Sequence, residues 1–206
     1  MTFTLQMPLF LMASEGSHLN SIEGFFYHKE FISSDDERFL IEYADSNPWD
    51  TTWKRRIQQY GYSYGTNRRE SLGGMPEWLS WLCNRLSDES IFQETPNQVI
   101  INEYMPGQGI APHVDYVANY GDMVASLSLG SPVVMDFISE EKKKISHLLE
   151  PRSLFVLSGS ARFNWKHGIA PRKMDHFLGA VITRGRRLSC TFRNTSQSAS
   201  RGEGNY

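Results

Sequence analysis

Three side chains have the types and spacing of a metal site. His113 and Asp115 stand one residue apart, after an apolar run and a Pro/Gly turn. In an extended segment, residues i and i+2 project from the same face, so both would point at one spot. His167 lies in a second strand-like stretch and could complete the set. Two histidines and one carboxylate form the facial set that binds non-haem Fe(II). Taken alone, a His-x-Asp triplet is more often a surface pair or a satisfied core histidine.

The context for that triplet is a strand-like segment near the C-terminus. Residues 187–193 alternate, which places four polar residues on one face and three apolar residues on the other. An arginine buried inside a barrel is costly unless an anion accompanies it, and its planar guanidinium suits a carboxylate. A dicarboxylate cosubstrate would supply that anion. The alternative is that Arg187 or Arg193 faces solvent or pairs with an acidic neighbour.

Four motifs fall in a fixed order along the chain: Asn102-x-Tyr104, His113-x-Asp115, His167 and Arg187-x-Ser189-x-Thr-x-Arg193. This order resembles the AlkB family of Fe(II)- and 2-oxoglutarate-dependent dioxygenases over residues 50–195. Within the family, residues 126–130 and 133–137 look most like the AlkB-type domain of the animal tRNA wobble-uridine hydroxylase. Family members often carry Asn where this chain has Ser189, and an acidic residue where it has Val117.

The resemblance implies an α+β, mainly β fold. Its core would be a double-stranded β-helix, or jelly roll, with N-terminal helices and a flap over the substrate. It also implies Fe(II) as the metal, with 2-oxoglutarate and O2 as cosubstrates. The implied reaction hydroxylates an N-alkyl carbon of a base in single-stranded DNA or RNA, so that the alkyl group leaves as an aldehyde. The implied site residues are His113, Asp115 and His167 for the metal, Asn102, Tyr104, Arg187, Ser189 and Arg193 for 2-oxoglutarate, and Arg56, Tyr60 and Tyr62 for the substrate.

The resemblance places the flap contacts in a basic and aromatic segment. Lys54-Arg55-Arg56 leads into residues 60–64, where tyrosines recur at every second position. On one strand face they could stack on an extruded base, which contributes about 1–3 kcal/mol per base. The alternative is that the tyrosines cover the hydrophobic side of a sheet. The clusters at 54–56, 68–69, 172–173 and 184–187 are candidates for phosphate contacts, Arg55 among them, or else are solvated loops.

The sequence leaves three other functions open. The same iron chemistry could hydroxylate a tRNA base, although the relatives with that role attach RNA-binding and methyltransferase domains for which 206 residues leave no room. It could also hydroxylate or demethylate a protein or a small molecule, which the acidic pI and Val117 permit. A non-catalytic binding module is disfavoured because all three ligands and both arginines are present. We therefore expect a stand-alone alkylation-repair demethylase.

The composition of the chain is compatible with this hypothesis. The chain of 206 residues is long enough for one core, and its formal net charge is -2. Nucleic acid would therefore have to bind at local basic patches. The two cysteines, Cys83 and Cys190, suggest no disulfide framework, and no signal or membrane anchor is evident. We expect a monomer without a partner protein, in the cytoplasm, or in the nucleus if the source is eukaryotic.

Local patterns predict the elements that position these residues. Residues 1–20 are expected to be a tail or cover segment, 21–195 the dioxygenase domain and 196–206 a disordered tail. Ser33 is predicted to begin a helix that buries Phe39, Leu40, Tyr43 and Ala44. Pro76 is predicted to begin a second helix with a leucine-rich stripe. Short strands are predicted at 98–105, 123–129, 133–138, 145–149, 154–157, 177–182 and 188–193.

Overall fold

The computed structural model describes residues 22–63 and 70–195. The predicted tails 1–20 and 196–206, and the basic pair Arg68-Arg69, lie outside the described residues. Within the described ranges, no helix is both long enough and apolar enough to cross a bilayer.

Two antiparallel sheets form the body of the domain. The six-stranded sheet has the order β1-β8-β5-β12-β3-β2, the four-stranded sheet has the order β4-β9-β6-β7, and β10 and β11 form a separate hairpin. The fold is the predicted jelly roll. The strands are β1 (Phe25–His28), β2 (Ile57–Tyr60), β3 (Gln98–Tyr104), β4 (Ile110–His113), β5 (Tyr120–Gly130), β6 (Val133–Ser139), β7 (Lys144–Leu149), β8 (Leu154–Leu157), β9 (Trp165–Ile169), β10 (Met174–Phe177), β11 (Ala180–Thr183) and β12 (Arg187–Thr195).

The two predicted helices are confirmed, and a short third one occurs. They are α1 (Ser34–Ser46), α2 (Glu77–Asp88) and α3 (Gly159–Phe163). Ser33 and Asp36 form a capping box at the start of α1, which satisfies two backbone N–H groups that the helix leaves free. The buried stripe of α1 is narrower than predicted. Leu40 and Ala44 are buried, whereas Phe39 and Tyr43 are 37% and 44% exposed.

The central strand β12 sorts its side chains as the alternation predicts. It lies between β3 and β5. Its apolar residues Leu188, Cys190 and Phe192 belong to the core shared with the helices. A second core joins the other face of this sheet to the four-stranded sheet and includes Tyr104 and Ile169. The polar residues of β12 therefore project between the two sheets, where a ligand pocket is expected.

One predicted strand is corrected. Residues 177–182 do not form a continuous strand, because Leu178 and Gly179 have φ values of 47° and 82° and turn the chain. Positive φ at two successive residues is the geometry of a tight hairpin turn. The segment therefore contributes to two strands, β10 and β11, which pair with each other.

Candidate metal centre and cosubstrate pocket

The predicted metal ligands come together on two paired strands. His113 ends β4 and lies directly opposite His167 of β9, with ring centroids 4.5 Å apart. Asp115 follows β4, and its Oδ1 is 3.7 Å from Nε2 of His113. One ligand atom from each residue lies within 4.8 Å of the others. A single ion could therefore contact all three.

Hydrogen bonding and burial prepare both histidines as ligands. Nδ1 of His113 lies 2.8 Å from the carbonyl oxygen of Ala111, so it is the nitrogen that donates. This leaves the lone pair of Nε2 facing Asp115. Burial lowers the pKa of His167 to about 4, which keeps that ring neutral. A neutral imidazole is the form that binds metal.

Asp115 is held as a carboxylate by surrounding cations. Arg193 donates from Nη2 to Oδ1 at 3.0 Å and from Nε to Oδ2 at 3.2 Å. Burial acts to raise the pKa of Asp115, but Arg193, the two histidines and Arg162 together lower it to about 2. Arg162 also donates from Nη1 to the backbone carbonyl of Asp115 at 2.9 Å. The ligand is therefore fixed through both its side chain and its backbone.

Arg187 is a buried cation without a counterion among the described residues. Its side chain is 2% exposed, and Nη2 donates to Oγ of Ser128 at 2.8 Å. Nε and Nη1 have no hydrogen-bond partner. Burial lowers the pKa of Arg187 to about 10, and its guanidinium lies 5.4 Å from the centroid of the Tyr104 ring. A ligand carboxylate would satisfy both orphan donors.

The remaining predicted cosubstrate residues share this inner face. Tyr104 lies opposite Arg187 in the register of β3 and β12, and Asn102 lies opposite Ser189. Oγ of Ser189 is 2.8 Å from Oγ of Ser126. The histidines, the carboxylate and the two arginines with free donors are the groups that Fe(II) and 2-oxoglutarate require, so the residues fit both.

Comparison with known proteins agrees with this geometry. Residues 24–193 match the model of the 2OG-Fe(II) oxygenase superfamily. The chain belongs to this superfamily. Its relatives place it in the AlkB family. It therefore uses Fe(II), 2-oxoglutarate and O2, and its three clustered ligands are the candidate iron-binding triad.

The relatives include one protein named as uncharacterised and several named for nucleic-acid chemistry. Protein L905 of Acanthamoeba polyphaga mimivirus, named as uncharacterised, is 36% identical over 84% of this chain and 86% of its own length. The Mus musculus tRNA (carboxymethyluridine(34)-5-O)-methyltransferase ALKBH8 is 36% identical over 80% of this chain, which spans 29% of that protein. Others are named as an alkylated DNA repair protein, a probable RNA/DNA demethylase and a DNA N6-methyl adenine demethylase.

A solved structure supports the fold. The structure of OsALKBH1 superimposes with a TM-score of 0.62 over 83% of this chain and 98% of that one. The two sequences are 19% identical, so this likeness concerns the fold alone.

The predicted substrate residues are not brought together. Arg56 forms an ion pair with Glu103, and its guanidinium lies over the Trp49 ring. Tyr60 packs edge-on against Trp78 of α2. Both side chains lie on the helix-facing side of the sheet, away from the metal triad, which argues against their contact with a substrate at the metal. The role predicted for Tyr62 stays a prediction.

Sequence patterns do not indicate one site residue, Arg162, and leave the orientation of a second, Arg55, undetermined. No motif or charge cluster marks Arg162 in the sequence. Arg55 was predicted as a phosphate contact within the 54–56 cluster, but without an assigned face of the strand. Its guanidinium lies 5.2 Å from the Tyr104 ring centroid, on the face opposite to that of Arg56. Side chains alternate between the two faces of an extended strand, so Arg56 and Tyr60 share one face and Arg55 projects from the opposite face. The sequence alone does not give the register of β2, which decides which of these faces is turned towards the metal.

Proposed function

We propose that this AlkB-type oxygenase removes N-alkyl groups from nucleobases in single-stranded DNA or RNA. The observation that carries the proposal is the placement of the His113, Asp115 and His167 cluster on the same inner face as the unpaired guanidinium of Arg187. The nucleic-acid names of several relatives support bases as the substrate class.

Each residue around the centre has a definite role in this proposal. Ala111 orients the ring of His113, so that Nε2 offers its lone pair to the metal. Arg193 keeps Asp115 ionised, while its own Nη1, which lacks a partner, remains available to the cosubstrate. Arg187 receives a carboxylate of 2-oxoglutarate. Tyr104 and Ile169, both buried, keep water away from the bound cosubstrate.

When iron is bound, it supplies the activation of O2 that is coupled to the oxidation of 2-oxoglutarate. Overall, one oxygen atom of O2 enters succinate and the other enters the N-alkyl carbon, while CO2 is released. The hydroxylated carbon then leaves as an aldehyde, and the base is restored. The protein contributes binding, orientation and exclusion of water to this sequence.

A second candidate reaction is hydroxylation of a wobble uridine in tRNA. The 36% identity to the mouse tRNA enzyme favours it, although the chain spans only 29% of that protein. The same metal centre would serve, and no alkyl group would be lost.

The test is product analysis with a panel of oligonucleotides that carry different methylated bases, together with a tRNA bearing a modified wobble uridine. We expect formaldehyde and succinate in equal amounts from at least one methylated single strand. His113→Ala should abolish both products, whereas His176→Ala, which removes an exposed histidine of β10, should not. Oxidised tRNA without formaldehyde would select the second candidate. Succinate formation driven only by a protein or a free small molecule would refute both.

A further inference from the structure

A basic groove lies beside the metal centre. It has a volume of about 720 Å³ and is lined by Lys54, Arg55, residues 107–112 and residues 168–171, with Asp136 at its wall. We call this the 54–55 groove. Pro112 precedes His113 and Gly168 follows His167, so the direct chain neighbours of both candidate iron ligands line it. The volume falls within the range of about 300–1,000 Å³ that is typical of ligand clefts.

Arg55 is the feature of this groove that points to a ligand. Its Nη1 donates to the carbonyl oxygen of Gly109 at 3.0 Å, and its Nε is buried without a hydrogen-bond partner. No carboxylate in residues 22–63 and 70–195 forms an ion pair with Arg55 or Lys54. Arg56, by contrast, is neutralised by Glu103. The groove therefore keeps two cations of the 54–56 cluster unpaired.

The rest of the groove does not cancel this charge. Asp136 is its acidic lining residue, and Nζ of Lys144 lies 2.8 Å from Oδ2 of Asp136. Lys173 is exposed and lies beside Gly107, a residue of the groove lining. A guanidinium that is hydrogen-bonded to Gly109 and lies over the Tyr104 ring has little freedom left to lose on binding an anion.

We infer that the 54–55 groove binds the phosphodiester backbone of the substrate strand, with Arg55 and Lys54 as phosphate contacts. This inference rests on the proposed function and extends it by naming the surface that holds the strand. A phosphate bound at Arg55 would leave the attached nucleotide beside the two histidines, so the base could reach the metal while the backbone stays in the groove. A free nucleoside would lose this contact.

The experiment measures oligonucleotide affinity across a salt series with Mn(II) and 2-oxoglutarate bound. Arg55→Gln and Lys54→Gln should each weaken binding to a single strand about ten-fold at low salt. Each should also reduce the slope of log K against log salt by about 0.7, the value for one phosphate contact on a single strand. Arg55→Lys should keep most of the slope. Lys143→Gln, which removes an exposed charge from the β6–β7 connection, is the matched control and should bind like the wild type.

The outcomes separate this inference from the proposed function. If the wild type oxidises methylated oligonucleotides but Arg55→Gln and Lys54→Gln bind with the wild-type slope, the groove assignment is wrong and the function stands. A raised requirement for 2-oxoglutarate in Arg55→Gln, with unchanged strand affinity, would make Arg55 a cosubstrate contact instead. If the wild type neither binds nor oxidises any nucleic acid, both proposals fail.

Discussion

Replacing Arg187 with methionine should stabilise the ligand-free protein while abolishing its response to 2-oxoglutarate. Burial lowers the pKa of Arg187 from 12.5 to about 10. At about 1.4 kcal/mol per pH unit, this means that the buried charge destabilises the native state by about 3 kcal/mol. The group is protonated at pH 7 in both the folded and the unfolded chain, so the whole cost is present there.

Arg187→Met removes that cost and loses the hydrogen bond to Ser128, which contributes about 1 kcal/mol. The net gain is about 2 kcal/mol. For a domain of this size, it corresponds to a Tm about 4–8 °C higher. The wild type should instead gain stability from the ligand, by about 2.7 kcal/mol when 2-oxoglutarate is present at 100 times its Kd. The variant should show almost none of that gain.

The assay is thermal unfolding with Mn(II), with and without 2-oxoglutarate. Arg186→Met is the matched control, because the neighbouring Arg186 is paired with Asp45 and Glu103 rather than left without an anion. It should lower the Tm and keep the ligand-dependent increase. An Arg187→Met protein that is less stable than the wild type without ligand, or that keeps the full increase with 2-oxoglutarate, would refute the assignment of Arg187 as an unpaired carboxylate receptor.

Three further results are expected. Burial lowers the pKa of His147 to about 4, so its contribution to stability is complete above the ordinary pKa of 6.5 and is lost as the pH falls towards 4. Between pH 6.5 and 4, the free energy of unfolding in urea should therefore fall by up to about 3 kcal/mol more for the wild type than for His147→Gln. The same pH dependence in both proteins would contradict this. Glu103→Gln leaves two arginines without their buried partner and should cost about 3 kcal/mol at neutral pH, which denaturant titration would test against Glu141→Gln. Arg162→Lys should weaken Mn(II) binding about ten-fold with an unchanged Tm, whereas wild-type affinity would show that its bond to the Asp115 carbonyl does not position the ligand.

Local sequence patterns predicted an element correctly where a single physical cause determines it. The capping residue Ser33 and the leucine stripe of α2 marked the helices, and the alternation of residues 187–193 correctly separated the helix-facing and inner sides of β12. The segments around His113 and His167 were expected to be extended, but the bounds of β4 and β9 were not predicted, because β4 contains a proline and β9 contains a glycine and a lysine. Their pairing depends on long-range contacts, although the histidines that they carry were identified.

Charge clusters were less informative because a partner can lie far away in the sequence. Arg172 and Arg184 were candidates for phosphate contacts. In the structure, both donate to Asp175, a carboxylate that is fully buried and also accepts from the backbone N–H of Val134. This network fixes the β10–β11 hairpin to the start of β6, so its arginines are structural. No composition rule distinguishes such a pair from an exposed basic patch.

The predicted substrate contacts of the flap depend on the register of β2, because the register decides which side chains face the metal. Arg55 and Arg56 are adjacent, and in an extended chain adjacent side chains face opposite sides, so a shift of one residue exchanges their roles. The resemblance selected Arg56 with Tyr60. The observed register pairs Ile57 with Asn102 of the inner face, which directs Gln58 and Tyr60 towards the helices. The buried amide of Gln58 then donates to the carbonyl of Ala44 at the end of α1, a contact that a substrate-facing position would not permit. Arg55 therefore lies on the inner side of the sheet, against Tyr104. This alternation of faces is the physical reason for assigning the contact with the nucleic-acid backbone to Arg55 rather than to Arg56.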